Sequence, residues 1–294
     1  MDGILVIDKP SGPTSHDIVT YVRRESGEKR VGHVGTLDPL ASGVLPLVLG
    51  RATRLAQFLS TADKSYDASI RLGAASDTYD ATGVIGARAT APGVGVSDVE
   101  PVLRSFVGTY LQEPPAFSAK KMGGVPAYRL AREGRAVELK PALVTVRSLE
   151  LVDIADHVIA IRVVSSAGFY VRTLAHELGA RLGIGAHLVG LRRTRSGAFG
   201  LEEAVPVAAL AHGALDLHVV SLDRVLLDLP AFVLTPEGLD RIVHGRDVGV
   251  GHVVKDAADS WPACARLMDP RGHLIAIARP AHGAAALHPT VVLK

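Results

Sequence analysis

The spacing of apolar residues changes several times along the chain, and each change predicts a secondary-structure element. Continuous apolar runs at 3–7 and 44–49 are typical of buried strands. From 64 to 72 apolar residues occupy alternate positions, including Tyr66, which predicts a strand with one buried face. A helical period from about 15 to 25 predicts an amphipathic helix between the first two strands.

This mixture continues without a strict alternation of strand and helix, which favours an α+β fold. Further predicted elements are a hairpin at 143–153 and 157–166, a helix near 170–183 and a strand at 187–195. A compact terminal unit is predicted from a helix near 235–244 and three short strands near 249–254, 263–268 and 273–279.

Domain boundaries follow from the same pattern. The stretch 112–141 is basic and poor in apolar residues, and Pro126 and Gly134 bound a short predicted helix inside it. We interpret this stretch as an insertion into the main domain. The expected organisation is therefore a main domain over 1–230, which carries the insertion, and a small terminal domain over 231–294.

Composition and charge narrow the functional class. The chain has 294 residues, 48% of them hydrophobic, which is enough for a large globular core. The formal net charge is only +2, but 114–147 contains seven basic residues and two acidic ones. A second basic cluster is formed by Arg192, Arg193 and Arg195. A solvated charged surface is the ordinary explanation, and two separate clusters favour a polyanionic partner.

Several classes are excluded at this stage. The single cysteine, Cys264, excludes an intrachain disulfide and a cysteine-based zinc site. Position 180 is alanine where a zinc protease starting at His176-Glu177 needs a second histidine, and there is no phosphate-binding or dinucleotide-binding glycine motif. No run of about 18 apolar residues and no leader-like segment is present, so a cytoplasmic protein without membrane association is expected.

The best candidate for chemistry is Asp38. It lies in a glycine-rich loop, is followed by Pro39, and precedes the apolar run at 44–49. Such a loop, held against a rigid strand, is a common way to present a reactive side chain. Most Asp-Pro pairs, however, only begin a turn, and both interpretations are open on local sequence alone.

Five motifs that occur in order along the chain favour the catalytic interpretation of Asp38. They are Asp8-Lys9-Pro10-x-Gly12-x-Thr14-Ser15, Gly32-His33-x-Gly35-Thr36-Leu37-Asp38-Pro39, Lys64-x-Tyr66, Pro114-Pro115-x-Phe117-Ser118-Ala119-Lys120 and Gly168-x-Tyr170-x-Arg172-Thr173. Together they resemble the bacterial tRNA pseudouridine-55 synthase family, TruB, over roughly the first 200 residues.

The resemblance implies an isomerase that needs no metal and no cofactor. Such an enzyme flips a uridine out of the tRNA T loop, cleaves its N1–C1′ bond and joins C5 to C1′. Asp38 matches the catalytic aspartate, which either attacks C1′ or removes the 2′ proton, and both routes remain open. Arg172 matches its ion-pair partner, and Tyr66 matches the tyrosine that stacks on the target base.

Other site residues are also implied by the resemblance. Tyr170 and Leu191 match the lining of the uracil pocket, and His33 matches a histidine that fills the gap left by the flipped bases. Lys9 is expected to support the catalytic loop, and Asp80 to contact a neighbouring flipped nucleotide. Core packing is the simpler interpretation for Tyr66 and Leu191.

The resemblance also implies how the RNA is held. The insertion, with Lys120, Lys121 and Arg129, corresponds to a segment that closes on the T stem-loop. The terminal domain resembles a PUA domain, and the implied fold is a mixed, mainly antiparallel sheet with flanking helices. We expect a monomer without an obligatory protein partner. The alternatives are a non-catalytic tRNA-binding chaperone and a uridine isomerase that depends on a guide RNA.

Overall fold

A computed structural model describes residues 1–87, 93–254, 261–282 and 285–293. The stretch 83–95 is rich in glycine and alanine, which predicts a surface connection, and it lies partly outside the described residues. Within the described part of the chain, none of the helices has the length and apolar character that crossing a membrane requires.

The strands, in chain order, are β1 (Gly3–Lys9), β2 (Val31–His33), β3 (Ser42–Leu49), β4 (Lys64–Leu72), β5 (Gly108–Gln112), β6 (Lys121–Met122), β7 (Val125–Pro126), β8 (Ala142–Ala155), β9 (Val158–Ser165), β10 (Ala186–Ser196), β11 (Phe199–Gly200), β12 (Val205–Pro206), β13 (Val219–Val220), β14 (Ala231–Val233), β15 (Val248–Gly249), β16 (Ala265–Met268), β17 (Leu274–Pro280) and β18 (Ala286–Val292).

The α-helices are α1 (Ser15–Ser26), α2 (Ala56–Leu59), α3 (Val96–Arg104), α4 (Ala127–Arg132), α5 (Val171–Arg181) and α6 (Pro236–Val243). Shorter 3-10 segments occupy Gly50–Leu55, Val207–His218, Leu222–Arg224 and Val250–His252. Helix α1 begins after Thr14, whose side chain accepts the N–H of Asp17 at 3.1 Å while the Asp17 carboxylate accepts the N–H of Thr14 at 2.8 Å. This reciprocal cap sets the first residue of the helix.

One large sheet organises the main domain. Its strand order is β12-β1-β3-β10-β4-β9-β8-β5, with β2, β11 and β13 paired at its sides. Most neighbouring strands are antiparallel, whereas β3 and β10 are parallel. The fold is therefore α+β with a mixed, mainly antiparallel sheet. The β3–β10 junction brings the strand after the Asp38 loop beside the strand that carries Leu191.

Helices cover the sheet in two separate groups. Helices α3 and α5 pack on β4, β8 and β9, in a core that includes Ile70, Ile161 and Leu174. Helix α1 packs beside β1 and β3, in a core with Leu5 and Leu45 at its centre. The catalytic candidates lie between these two groups, where the Asp38 loop meets the start of α5.

A second sheet forms the terminal unit, with the order β14-β16-β17-β18-β15. Part of it shares a core with the first sheet, since Ile277 and Leu293 pack in the same cluster as Ile4 and Val48. Arg51 joins the two units, because it binds the Asp2 carboxylate at 2.8 Å and donates to the Leu293 carbonyl at 3.0 Å. Arg54 donates to the neighbouring Val292 carbonyl.

The structure corrects the prediction for the terminal unit. The predicted strand near 249–254 is only the two-residue β15 followed by a 3-10 turn. Strand β18, Ala286–Val292, was not predicted, and it pairs along one side of β17. Val254 is 53% exposed, so the apolar spacing near 249–254 does not report a buried strand face.

Candidate active site

The Asp38 loop connects β2 and β3 and is held by the motif that begins at Asp8. The Ser15 hydroxyl accepts the N–H of Leu37 and donates to its carbonyl, both at 2.9 Å. The N–H of Gly12 donates to the Pro39 carbonyl at 2.8 Å. Hydrogen bonds from another segment therefore fix the residues on both sides of Asp38.

Arg172 lies opposite Asp38 in the first turn of α5. Its Nε is 2.9 Å from Oδ2 of Asp38, and only 6% of its side chain is exposed. One Nη donates to the Phe117 carbonyl at 2.9 Å and the other to the Thr78 carbonyl at 3.3 Å. Since Asp80 approaches the same guanidinium at 3.6 Å, Arg172 is held from several sides and can orient the Asp38 carboxylate.

The Asp38 carboxyl group is accessible from the pocket, but its surroundings disfavour its ionised form. Its side chain is 37% exposed toward the pocket, but protein surrounds the carboxyl group on its other sides. Burial raises the pKa of Asp38 above its usual value, and Arg172 only partly opposes this rise. The Asp80 carboxylate raises the pKa further. Less stabilisation of the anion leaves a more basic carboxylate, which suits either a nucleophile or a base.

A pocket of about 230 Å³ extends from Asp38 and Arg172. Aromatic and apolar side chains line its walls, namely Tyr66, Phe169, Tyr170 and Leu191. The N–H of Tyr170 donates to Gln112 at 2.8 Å, and burial raises the pKa of the Tyr170 hydroxyl. Aromatic and apolar walls beside a carboxylate can accommodate a planar ring.

Three other predicted residues lie outside the pocket lining. Asp80 is 3% exposed, and its Oδ1 accepts hydrogen bonds from Thr78 and twice from Thr82. The free protein thus gives Asp80 no surface for a nucleotide and places it behind Arg172. Lys9 is fully buried and donates to the Pro10 and Pro13 carbonyls at 2.9 and 2.8 Å. Burial lowers its pKa to about 8, an effect that Asp38 opposes.

His33 ends strand β2, five residues before Asp38. Its Nδ1 is buried and has no partner among the described residues. Burial lowers the pKa of His33, and the positive charge of Arg193 lowers it further, so the ring is neutral at neutral pH.

The basic residues of the insertion differ in whether their side chains are exposed or already hydrogen-bonded within the protein. Arg129 is exposed on α4, and Lys120 donates to the Lys140 carbonyl at 2.8 Å. The side chain of Lys121 lies outside the described part of the structure.

The second basic cluster is not the free surface that its sequence suggests. Arg192 binds Asp8 at 2.8 Å, Arg195 binds Glu202 at 2.8 Å, and Arg193 is 1% exposed. The interpretation of these three arginines as a polyanion surface is therefore wrong for Arg193, because a buried side chain cannot reach a large partner.

Sequence reasoning also missed several residues that build the site. Ser15 and Lys64 were named only within motifs, and the roles of Arg193 and Gln112 were not recognised. Lys64 lines the pocket, donates to the Ser60 and Ala62 carbonyls, and has a pKa lowered to about 8 by burial. The available signal was its fixed spacing from Tyr66, two positions along the same strand. Within the described ranges, no group of three His, Cys, Asp or Glu side chains is arranged to hold a metal ion.

Comparison with known proteins gives a consistent set of relatives. Residues 23–171 match the family model "TruB family pseudouridylate synthase (N terminal domain)", and residues 172–233 match "tRNA pseudouridylate synthase B C-terminal domain". The chain is 40% identical to tRNA pseudouridine synthase B of Solibacter usitatus over the full length of both. It is 44% identical to the same-named protein of Syntrophotalea carbinolica, with 83% of this chain and 81% of that one covered.

Solved structures agree on the fold. The chain superposes on a protein in a crystal structure of a Cbf5-Nop10-Gar1 complex with a TM-score of 0.76 at 26% identity, covering 99% of this chain and 85% of that one. A protein from an H/ACA RNP bound to a substrate RNA containing 2'-deoxyuridine matches with a TM-score of 0.75 at 25% identity, again covering 99% and 85%.

Proposed function

This chain belongs to the TruB family of pseudouridine synthases, and we propose that it isomerises uridine 55 in the T loop of tRNA with Asp38 as its reactive group. The enzyme is a tRNA pseudouridine synthase, an isomerase. The observation that carries the finer assignment is the 2.9 Å contact of Asp38 with Arg172 in the lining of a pocket of about 230 Å³.

The geometry divides the reaction among a few side chains. Asp38 in its ionised form either bonds to C1′ of the ribose or accepts the 2′ proton, and the N1–C1′ bond breaks in both cases. Arg172 fixes the direction of the carboxylate. Tyr66, Tyr170 and Leu191 hold the detached base beside C1′ while it turns, so that C5 can form the new bond.

RNA binding is assigned to three surfaces. His33, neutral and at the edge of the site, is suited to stack in the space that flipped bases leave. Lys120, Lys121 and Arg129 of the insertion are proposed to contact phosphates of the T stem. The terminal domain, 231–294, is proposed as a PUA-like unit that positions the rest of the tRNA. We place Asp80 and Lys9 behind the site, where they support Arg172 and the Pro10–Pro13 turn.

We further infer that the enzyme acts in the cytoplasm, as a monomer and without an obligatory protein partner. The relative from Solibacter usitatus matches over the whole chain, and the residues that line the pocket all come from this chain. Purified protein and a synthetic T stem-loop test this directly. Chemical mapping of pseudouridine should show one modified position, and a requirement for a guide RNA or a second protein would contradict the inference.

The variant Asp38→Asn tests the catalytic assignment. Because the amide has nearly the same shape but neither nucleophilic nor basic oxygen, we expect at least a 1,000-fold loss of the single-turnover rate, of the order reported for removal of a nucleophile. The dissociation constant for tRNA should change by less than about threefold. Pseudouridine formation at the normal rate would refute the role of Asp38. A tRNA-refolding assay with the same variant measures any chaperone activity separately.

A further inference from the structure

Arg193 is the largest fully buried side chain among the described residues, and it contributes to the lining of the pocket. Its Nε donates to the Val44 carbonyl at 2.7 Å, and one Nη donates to the Gly35 carbonyl at 3.0 Å. Burial lowers the pKa of Arg193, and the hydroxyl of Tyr66 opposes this effect. A single guanidinium therefore ties both ends of the Asp38 loop to the strand that carries it.

All of these partners are uncharged. Arg193 forms no ion pair with a carboxylate in the described ranges, in contrast to Arg172, which has Asp38 and Asp80. A buried charge without a counter-ion is costly, and an arginine cannot escape that cost by losing its proton. The positive charge of Arg193 also affects neighbouring groups: together with burial, it lowers the pKa of Lys9, Lys64 and His33.

The pocket as a whole has an excess of positive charge. Its charged lining consists of Lys64, Arg172 and Arg193 against the single carboxylate of Asp38. The uncharged lining of the pocket includes the aromatic rings of Tyr66 and Phe169 and the side chain of Leu191, which suit a planar base better than a phosphate. The group that fits this place is the base itself.

The proposed reaction produces an anion there. When the N1–C1′ bond breaks, both electrons stay on the base, and the negative charge spreads over N1 and the two carbonyl oxygens of uracil. This holds whether the Asp38 carboxylate bonds to C1′ or takes the 2′ proton. The charge leaves the base when C5 uses its electron pair to bond to C1′; the C5 proton is then removed and N1 takes up a proton, which gives neutral pseudouridine.

We propose that Arg193 stabilises the uracil anion, its buried charge being balanced only when the base detaches from the sugar. This inference rests on the proposed function. Fixed charge in a pocket that excludes water favours the state in which opposite charge develops, with little reorganisation. The carbonyl partners hold the guanidinium in place, so the same contacts that brace the Asp38 loop keep the charge aimed at the pocket.

The test varies the charge at position 193 and the stability of the detached base in the same experiment. Single-turnover rates are measured as loss of the starting nucleoside from T-loop RNA that contains either uridine or 5-fluorouridine at the target. Fluorine withdraws electrons and stabilises the detached base, so it should partly replace Arg193. We expect Arg193→Gln to slow the uridine substrate by about 100-fold and the fluorinated one by about 10-fold.

The matched control is Arg162→Gln on strand β9, where the arginine is exposed, paired with Asp67 at 3.2 Å and outside the pocket lining. It should leave both rates unchanged. Equal slowing of the two substrates by Arg193→Gln would overturn the inference and leave a bracing role only. If the unmodified enzyme forms no pseudouridine from the uridine substrate, the proposed function itself fails, which is a different result.

If Arg193→Gln does not fold, Arg193→Lys provides a second test of the same proposal. A buried lysine loses its proton at a lower pH than a free one, so its charge can be removed by raising the pH of a folded protein. The uridine rate should then fall with rising pH more than the 5-fluorouridine rate, relative to the unmodified enzyme. Parallel pH profiles for the two substrates would contradict the proposal.

Discussion

Asp38 shows how one side chain can be reachable and yet poorly stabilised as an anion. About a third of its surface faces the pocket, while burial outweighs the favourable charge of Arg172 and raises its pKa. At pH values between the pKa of Asp38 in the unfolded chain and its higher pKa in the folded protein, the native state binds more protons than the unfolded state. The contribution of Asp38 to stability therefore falls as pH rises through the folded pKa, and ionisation for catalysis is gained at the expense of stability.

This shift predicts the acid side of the pH–rate profile. Activity requires ionised Asp38, so the rate should fall about tenfold per pH unit below its pKa, beginning at a higher pH than for an exposed carboxyl group. Because Asp80 raises the pKa of Asp38, Asp80→Asn should move this acid limb to lower pH, whatever it does to the maximum rate. Single-turnover rates from pH 4 to 8 measure it, and an unmoved limb would contradict the coupling.

At the scale of elements, the position of the Asp38 loop depends on close backbone contact between β3 and β10. Gly43 has a φ of +98°, and a Cβ at this position would lie 2.2 Å from the carbonyl oxygen of Arg193. Only glycine allows the strands to approach here. The glycine therefore serves strand pairing at the end of the loop as well as its turn.

Gly43→Ala is expected to be strongly destabilising. The added methyl group meets backbone that cannot move without separating the strands, so we expect a loss of about 3 kcal/mol or more in the free energy of unfolding. Gly12→Ala is the matched control, since Gly12 also has a positive φ, +111°, but has open space around a Cβ. It should lose about 1 kcal/mol, the cost of backbone strain alone. Urea denaturation compares the two, and equal losses would argue against the close contact.

The insertion is the element whose charge is proposed to act on RNA. Replacing Lys120 and Arg129 with glutamine removes two phosphate contacts, which should weaken tRNA binding and reduce the slope of log K against log salt by about 2. Arg104→Gln is the control, because Arg104 is exposed on α3 and paired with Glu100. Binding measured from 50 to 300 mM salt distinguishes them. An unchanged slope in the double variant would remove the insertion from the RNA interface.

At the scale of the whole molecule, the terminal sheet is joined to the main sheet by more than a linker. Ile277 and Leu293 contribute to the core that also contains Ile4 and Val48, and Arg51 connects the N-terminal segment with the end of the chain. A shared core makes the folding of the two units interdependent.

Ile277→Ala tests this dependence. Ile277 is fully buried, so the truncation should cost about 2–5 kcal/mol through lost packing and a cavity. The unfolding of both units should remain a single transition at a lower temperature. Calorimetry and circular dichroism provide the measurement. The comparison variant is Ala278→Gly, because Ala278 is the next residue and packs in the separate terminal core. Loss of the terminal unit in a separate, earlier transition would contradict interdependence.

The local elements and the candidate for chemistry can be predicted from the amino-acid sequence. Strand period, helix caps and glycine-rich turns depend on residues a few positions apart, so the strand at 64–72, helix α1 and the loop around Asp38 follow from the printed order of residues. Which charged side chains are free to bind a partner depends on long-range packing. Arg193 was expected among exposed basic residues and is buried, and Asp80 was expected to face RNA and faces Arg172. Burial of a charged side chain is set by groups far away in the chain, here the carbonyls of Gly35 and Val44, and no local period reports them.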